Sequence, residues 1–236
     1  MDKLLKNVAA ALLGVLLSTG FWLTRPEWDP EMRLWRAVGD AGLILLFLAL
    51  VLGPLAKLWP RARRLLTYRR ELGVWFGLFA FLHTLLVLNG WARWDALRLL
   101  GYEFVPELGR AARLEPGFGL SNLLGLVAML FTLVLMATST DWAVNRLGGR
   151  AWKFLQLSSY IVFYLSALHT AYFLFMHYTM SFHRQVPADP NWFRWPFLAL
   201  TLGVIALQVG AYTKGVLPKR TPAPRQEPSG PPTVTR

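Results

Sequence analysis

The 236-residue chain contains no cysteine, which excludes disulfides, thiolate metal sites and iron–sulfur clusters. Charge is scarce as well. Asp, Glu, Lys and Arg make up 16% of the residues, against roughly 25% in soluble domains. The charge is also lopsided, with 13 acidic residues against 25 basic ones. The glycines form no G-x-G-x-x-G after a strand pattern, so no nicotinamide- or FAD-binding unit is expected. No nucleic-acid-binding motif accompanies the net charge of +12. Cationic loops of a membrane protein account for that charge better, and no nucleic-acid partner is expected.

What the chain has in abundance is apolar surface: 55% hydrophobic residues, 11 Trp and 15 Phe, and a mean hydropathy of +0.38. Six runs approach the roughly 20 apolar residues that cross hydrocarbon. They lie at about 5–23, 38–58, 71–90, 119–138, 153–178 and 193–213. The first run ends in FWLTRPEWDP without a small-residue cleavage site, so it reads as an anchor rather than a signal peptide. The expected fold class is an all-α integral membrane protein, a six-transmembrane-helix bundle occupying residues 1–214. The segment 215–236, Pro-rich and polar, reads as a disordered cytoplasmic tail. The outer loop 91–118 carries both charge signs and is expected to hold a short interfacial helix.

Six spans place the N-terminus, the loops after spans 2 and 4, and the tail on one side. That side holds Lys3, Lys6, the six cations of KLWPRARRLLTYRR, Arg146, Arg150, Lys153 and five more in the tail, 16 of the 25. The positive-inside rule makes this side cytoplasmic, with both termini inside.

An ionisable residue within a span is costly and suggests function. His83 lies 12 residues into span 3, about 18 Å along it, and His169 lies 16 residues into span 5, about 24 Å along it. Both sit at or beyond the midplane, toward the outer side. Each alone reads equally well as a neutral histidine bonded to a neighbouring helix. Together at matching depth they suit the two axial ligands of a haem, because neutral imidazole binds iron. The helical face of His83 includes Phe76, Phe79, Ala80, Val87 and Gly90; that of His169 includes Val162, Leu165, Ser166, Phe173 and Met176. His177 falls about 80° off the His169 face on an α-helix and is expected at the outer boundary, as an interfacial or haem-propionate contact, with Ser166 as a second contact. His183 receives no role.

These positions match a family. RRELGVWFGLFAFLHTLL (69–86), ATST (137–140) and NRLGGRAWKFLQLSSYIVFYLSALHTAYF (145–173) follow in the order of the ferric reductase-like transmembrane domain. Within it the chain resembles the haem-binding membrane subunits of bacterial methionine sulfoxide reductase systems. The resemblance implies a b-type haem between spans 3 and 5, held by His83 and His169, and an FMN in the same subunit. There is one departure. The family carries a second histidine 13 residues before the haem-ligating one of span 5, and here that position is Gln156. One haem per chain is therefore expected. Arg69, Arg70, Lys153 and Gln156 are left as a cationic patch at the inner surface. It reads equally as a positive-inside anchor and as a phosphate site for a flavin.

The expected function is electron transfer across the bacterial inner membrane, by an oxidoreductase subunit rather than a self-sufficient enzyme. A cytoplasmic flavin reductase or a quinol is the expected donor. The expected acceptor is an outer-face partner such as a molybdenum-containing sulfoxide reductase. A quinol-coupled cytochrome or a ferric or metal reductase subunit is the alternative. A non-redox transport or assembly protein is the rival from another class, and the absence of carboxylates from the middle of the spans weighs against transport.

Overall fold

Six helices long and apolar enough to cross a membrane run over Lys3–Leu23, Pro30–Leu58, Pro60–Ala92, Phe118–Ala137, Gly149–Met176 and Arg194–Val216. The computed structural model describes residues 3–113, 115, 117–177 and 191–217. His183, the end of the expected fifth span and the tail from 218 lie outside the described residues. The chain is a multi-pass membrane protein. Within the spans we distinguish α1 (Lys3–Leu23), α2 (Pro30–Leu58), α3 (Arg69–Val87), α5 (Phe118–Ala137), α7 (Gly149–Gln156), α8 (Ser159–Ala171) and α9 (Arg194–Val216). Short helices α4 (Ala96–Leu99) and α6 (Asp141–Leu147) lie in the loops.

The second helix is the axle of the bundle. In its apolar window 61% of residues are buried, against 17–28% in the other five spans. Small residues permit this. Gly42 faces Phe79 and the Phe76 carbonyl of α3, where an added Cβ would stand 3.2 Å from Phe79 Cβ. Glycine lets two backbones approach in lipid, where packing rather than water exclusion drives association. Phe47 then packs on Phe163 of α8 and Phe197 of α9. The exposed apolar side chains of the outer helices, such as Leu12, Leu130, Leu168 and Leu202, face where lipid would lie.

The helix α2 starts eight residues before the expected span. Asp29 caps it, accepting from the backbone N–H groups of Glu31 and Met32, and Pro30 opens it. As a result Asp40, at the edge of the expected span, lies ten residues inside the helix, about 15 Å from its start. Asp40 thus stands within the helix, nearer its start than its middle. The cost of burial is offset in part by Arg25, whose Nη2 bonds Asp40 Oδ2 at 2.6 Å and Asn191 Oδ1 at 3.3 Å. Phe21, Trp28 and Trp192 surround the guanidinium.

The fifth span is also not one continuous helix. Between α7 and α8 the backbone tightens into i→i+3 bonds, from Leu157 to Phe154 and from Ser158 to Leu155. The Ser158–Ser159 pair sits at this break, a common site of helix kinks. On the opposite side the expected interfacial helix is the single turn α4. It is followed by an antiparallel ribbon that the sequence reading did not foresee, β1 (Tyr102–Val105) paired with β2 (Arg110–Arg113). Gly109, at φ 62°, supplies the left-handed residue between them.

Candidate functional site

His83 projects from α3 and His169 from α8 into one cavity of about 430 Å3. Their ring centroids are 6.5 Å apart. Both rings keep some accessible surface because they face the cavity rather than packed atoms.

The two rings are seated in the same way by two different helices. His83 Nδ1 lies 2.8 Å from the carbonyl oxygen of Trp35 on α2. His169 Nδ1 lies 2.8 Å from the carbonyl oxygen of Ser121 on α5. A carbonyl only accepts, so each Nδ1 carries the proton and donates it. In the neutral imidazole each Nε2 is then left as an unprotonated lone pair. Four residues beyond each carbonyl stands a glycine under the same ring. A Cβ on Gly39 would meet His83 Nδ1 at 2.8 Å, and one on Gly125 would meet His169 Nδ1 at 2.8 Å. Carbonyl at i and glycine at i+4 form one groove on a helix surface. The chain thus builds two matching imidazole seats, at Trp35/Gly39 and Ser121/Gly125. Ser121 Oγ also lies 3.4 Å from His169 Nδ1.

The rest of the lining is mainly apolar, interrupted by Thr84, Asn122, Thr132, Ser166 and Thr170. Phe76, Ala80 and Val87 of the predicted His83 face line the cavity, as do Ser166 and Phe173 of the His169 face. Phe79 turns instead toward Gly14 and Gly42, and Gly90 lies under the Trp35 ring. Arg36 and Asp40 line the wall contributed by α2.

His177 also lines the cavity, against the 80° offset expected of it. The reason is local. After α8 the chain continues as a π-helical turn over Tyr172–Met176, which advances less per residue than an α-helix. His177 is thereby rotated back toward the His169 side, 5.5 Å from Phe173 and 5.8 Å from Phe118 between ring centroids. Its Nδ1 lies 2.7 Å from Glu115 Oε2. The same kind of turn, Leu88–Ala92, follows α3. π turns occur often beside functional sites. Over this end Trp91, Leu99 and Phe118 close the cavity, and Asn122 Nδ2 donates to the Leu99 carbonyl at 2.7 Å.

The cationic patch is more dispersed. Arg70 bonds Asp141 at 2.8 Å. Lys3 bonds the same carboxylate at 2.9 Å. The hydrogen bonds from Lys3 and then Arg70 hold the Asp141 carboxyl below its ordinary range. Arg69 lies beside Gly53 of α2. Gln156 Nε2 reaches Thr138 Oγ1 at 3.5 Å, at the end of α5, and Lys153 is exposed. Arg69, Arg70 and Gln156 therefore face three different neighbours.

Sequence reasoning did not find the seats Gly39 and Gly125, the Arg25–Asp40 pair or Glu115. Glycines inside apolar spans were the available signal, since a span glycine marks a close approach, but nothing in the sequence says to what.

A helical membrane domain with two facing imidazoles between its third and fifth spans defines a class, and similarity agrees with it. The chain belongs to the family described as ferric reductase like transmembrane component, whose profile matches residues 38–167. Among curated relatives it is similar to the protein-methionine-sulfoxide reductase heme-binding subunit MsrQ of Yersinia pseudotuberculosis serotype O:1b (strain IP 31758). The two are 33% identical over 145 residues, covering 60% of this chain and 63% of the relative. The same-named protein of Yersinia pestis (strain Pestoides F) is also 33% identical over 145 residues, with 62% of its length covered. The chain thus spans a little over three fifths of the length of these relatives.

Proposed function

We propose that this chain is a transmembrane electron-transfer subunit that holds one b-type haem between His83 and His169. The observation that carries this reading is the pair of matching seats. A metal–imidazole bond of about 2.0 Å, with the ring centre about 1.1 Å behind the nitrogen, sets two rings sharing one ion about 6.2 Å apart. The rings here are 6.5 Å apart. Among the described residues no group of three or more His, Cys, Asp or Glu converges as a bare ion would need. Two protein ligands in an apolar cavity suit a metal whose other positions are filled by a macrocycle. The cavity supplies space, and the two glycines are cradles that any side chain would fill.

A bound haem supplies a one-electron carrier. The residues do the rest. Trp35 and Ser121 carbonyls fix the tautomer, so that both Nε2 atoms can act as donors to iron. Apolar lining keeps water from the site. Arg36 and the His177–Glu115 pair place charge and hydrogen-bonding capacity at the outer part of the cavity, where haem propionates would be held.

The stoichiometry tests this reading. Because Gln156 stands where the family has a second histidine, the purified chain is expected to hold one haem, measured by pyridine haemochrome against quantified protein. A ratio near two, or none, contradicts it.

One haem at this depth leaves about 20 Å of α3 between His83 and Arg69, a gap that a second carrier would bridge. FMN near Arg69, Arg70, Lys153 and Gln156 is the reading supported by the charge there, although Asp141 neutralises part of it. Changing Arg69 and Arg70 together to Ala is expected to lower the flavin released on denaturation and to slow haem reduction by a flavin reductase, with haem content unchanged. The control, Arg146 and Arg150 to Ala, is expected to do neither. Equal flavin in all three proteins would make the patch a membrane anchor only.

The domain is read as residues 1–214 in the inner membrane with both termini cytoplasmic, since the basic loops gather on that side. Its donor would be a cytoplasmic flavin reductase or quinol. Its acceptor would be an outer-face protein, and the names of the relatives favour a methionine sulfoxide reductase.

A further inference from the structure

On the basic face, far from the paired histidines, a second recess of about 750 Å3 opens between α1 and the 3-10 turn Pro60–Tyr68. It is lined by Lys6, Arg61, Arg64, Leu65, Thr67 and Tyr68, three cations and no carboxylate. The nearby acid Asp141 is engaged by Lys3 and Arg70, and among the described residues Lys6, Arg61 and Arg64 make no ion pair. Lys6 Nζ stands 6.0 Å from the Tyr68 ring centre, which holds the α1 cation against the turn. The turn itself buries no residue. It leaves Trp59, Leu65 and Leu66 exposed beside the recess, Trp59 at 64%. The segment is therefore amphipathic and joins the end of α2 to the start of α3.

We propose that this recess binds the phosphate of an acidic phospholipid. The three cations meet the phosphate charge, and Leu65, Leu66 and Trp59 lie along the acyl chains and interface. A soluble phosphate compound would satisfy the cations but leave that apolar margin without a role. The site anchors the α2–α3 connection to the membrane surface. It does not depend on the haem reading.

The test is native mass spectrometry of the full chain in detergent, titrated with phosphatidylglycerol or with phosphatidylcholine. The parent is expected to retain phosphatidylglycerol in preference. Each of Arg61→Gln and Arg64→Gln should weaken that binding by roughly fivefold, and with Lys6→Gln added the loss should reach the order of a hundredfold. A triple control with the same charge change elsewhere, Arg146→Gln, Arg150→Gln and Lys153→Gln, should stay close to the parent. Graded loss in the single variants separates a lost contact from a failure to fold. Equal binding of the two lipids, or equal loss in the control, overturns the proposal. Displacement of phosphatidylglycerol by inorganic phosphate at equal concentration would overturn the lipid assignment and make the recess a site for soluble phosphate.

Discussion

His83→Ala and His169→Ala are each expected to abolish the low-spin b-type spectrum of the purified protein while leaving the polypeptide in the membrane. On the proposed reading each imidazole is one of the two protein donors between α3 and α8. Disturbing a group that merely orients a metal ligand costs about 10–100-fold in affinity. Removing a ligand should cost more, and haem retained through purification should fall at least tenfold. Six apolar spans remain in either variant, so membrane insertion is unaffected. His177→Ala should keep the low-spin spectrum, because His83 and His169, with ring centroids 6.5 Å apart, already offer both donors and His177 sits beyond the π turn. Loss of haem in His177→Ala but not in His169→Ala would show that the ligand on this span is the wrong one.

The second large effect is expected from glycine. Gly39→Ala places a methyl 2.8 Å from His83 Nδ1 and 3.0 Å from Cε1, and Gly125→Ala does the same to His169. Neither ring can retreat without breaking its 2.8 Å bond to the Trp35 or Ser121 carbonyl. Overpacking of this kind costs about 1–3 kcal/mol, and here the strain falls on the ring that would face iron on the proposed reading. Haem content should drop roughly tenfold in each variant, and what haem remains should show shifted electron paramagnetic resonance g-values. Gly73→Ala and Gly203→Ala are the controls, since a Cβ at either meets nothing within 4 Å. Unchanged spectra in Gly39→Ala and Gly125→Ala would mean that the seats do not hold the rings.

The spans were legible because a bilayer demands some 20 apolar residues in a row, and composition alone reports that. Ends were less legible. The cap Asp29–Pro30 extends α2 well before its apolar run begins, and it was this extension that moved Asp40 inside the helix. The matching depth of His83 and His169 could be counted along two helices, and the structure has them in one cavity. The carbonyls and glycines that seat them could not be counted, because they belong to α2 and α5. Which helices flank a span is decided by tertiary packing, not by the span's own periodicity. His177 shows the limit of a helical wheel. Its angle was computed for an α-helix, and a π turn that no local sequence signal announces changed the register. The ribbon of β1 and β2 escaped because two four-residue strands leave too short a pattern to read.

The most direct measurement is the visible and electron paramagnetic resonance spectrum of the purified full chain, oxidised, reduced and reduced under carbon monoxide. Two imidazoles on one iron predict a six-coordinate low-spin b-type spectrum in both redox states, with no carbon monoxide adduct because both axial positions are taken. A colourless protein, a high-spin five-coordinate haem, or ready carbon monoxide binding would contradict ligation by His83 and His169 together.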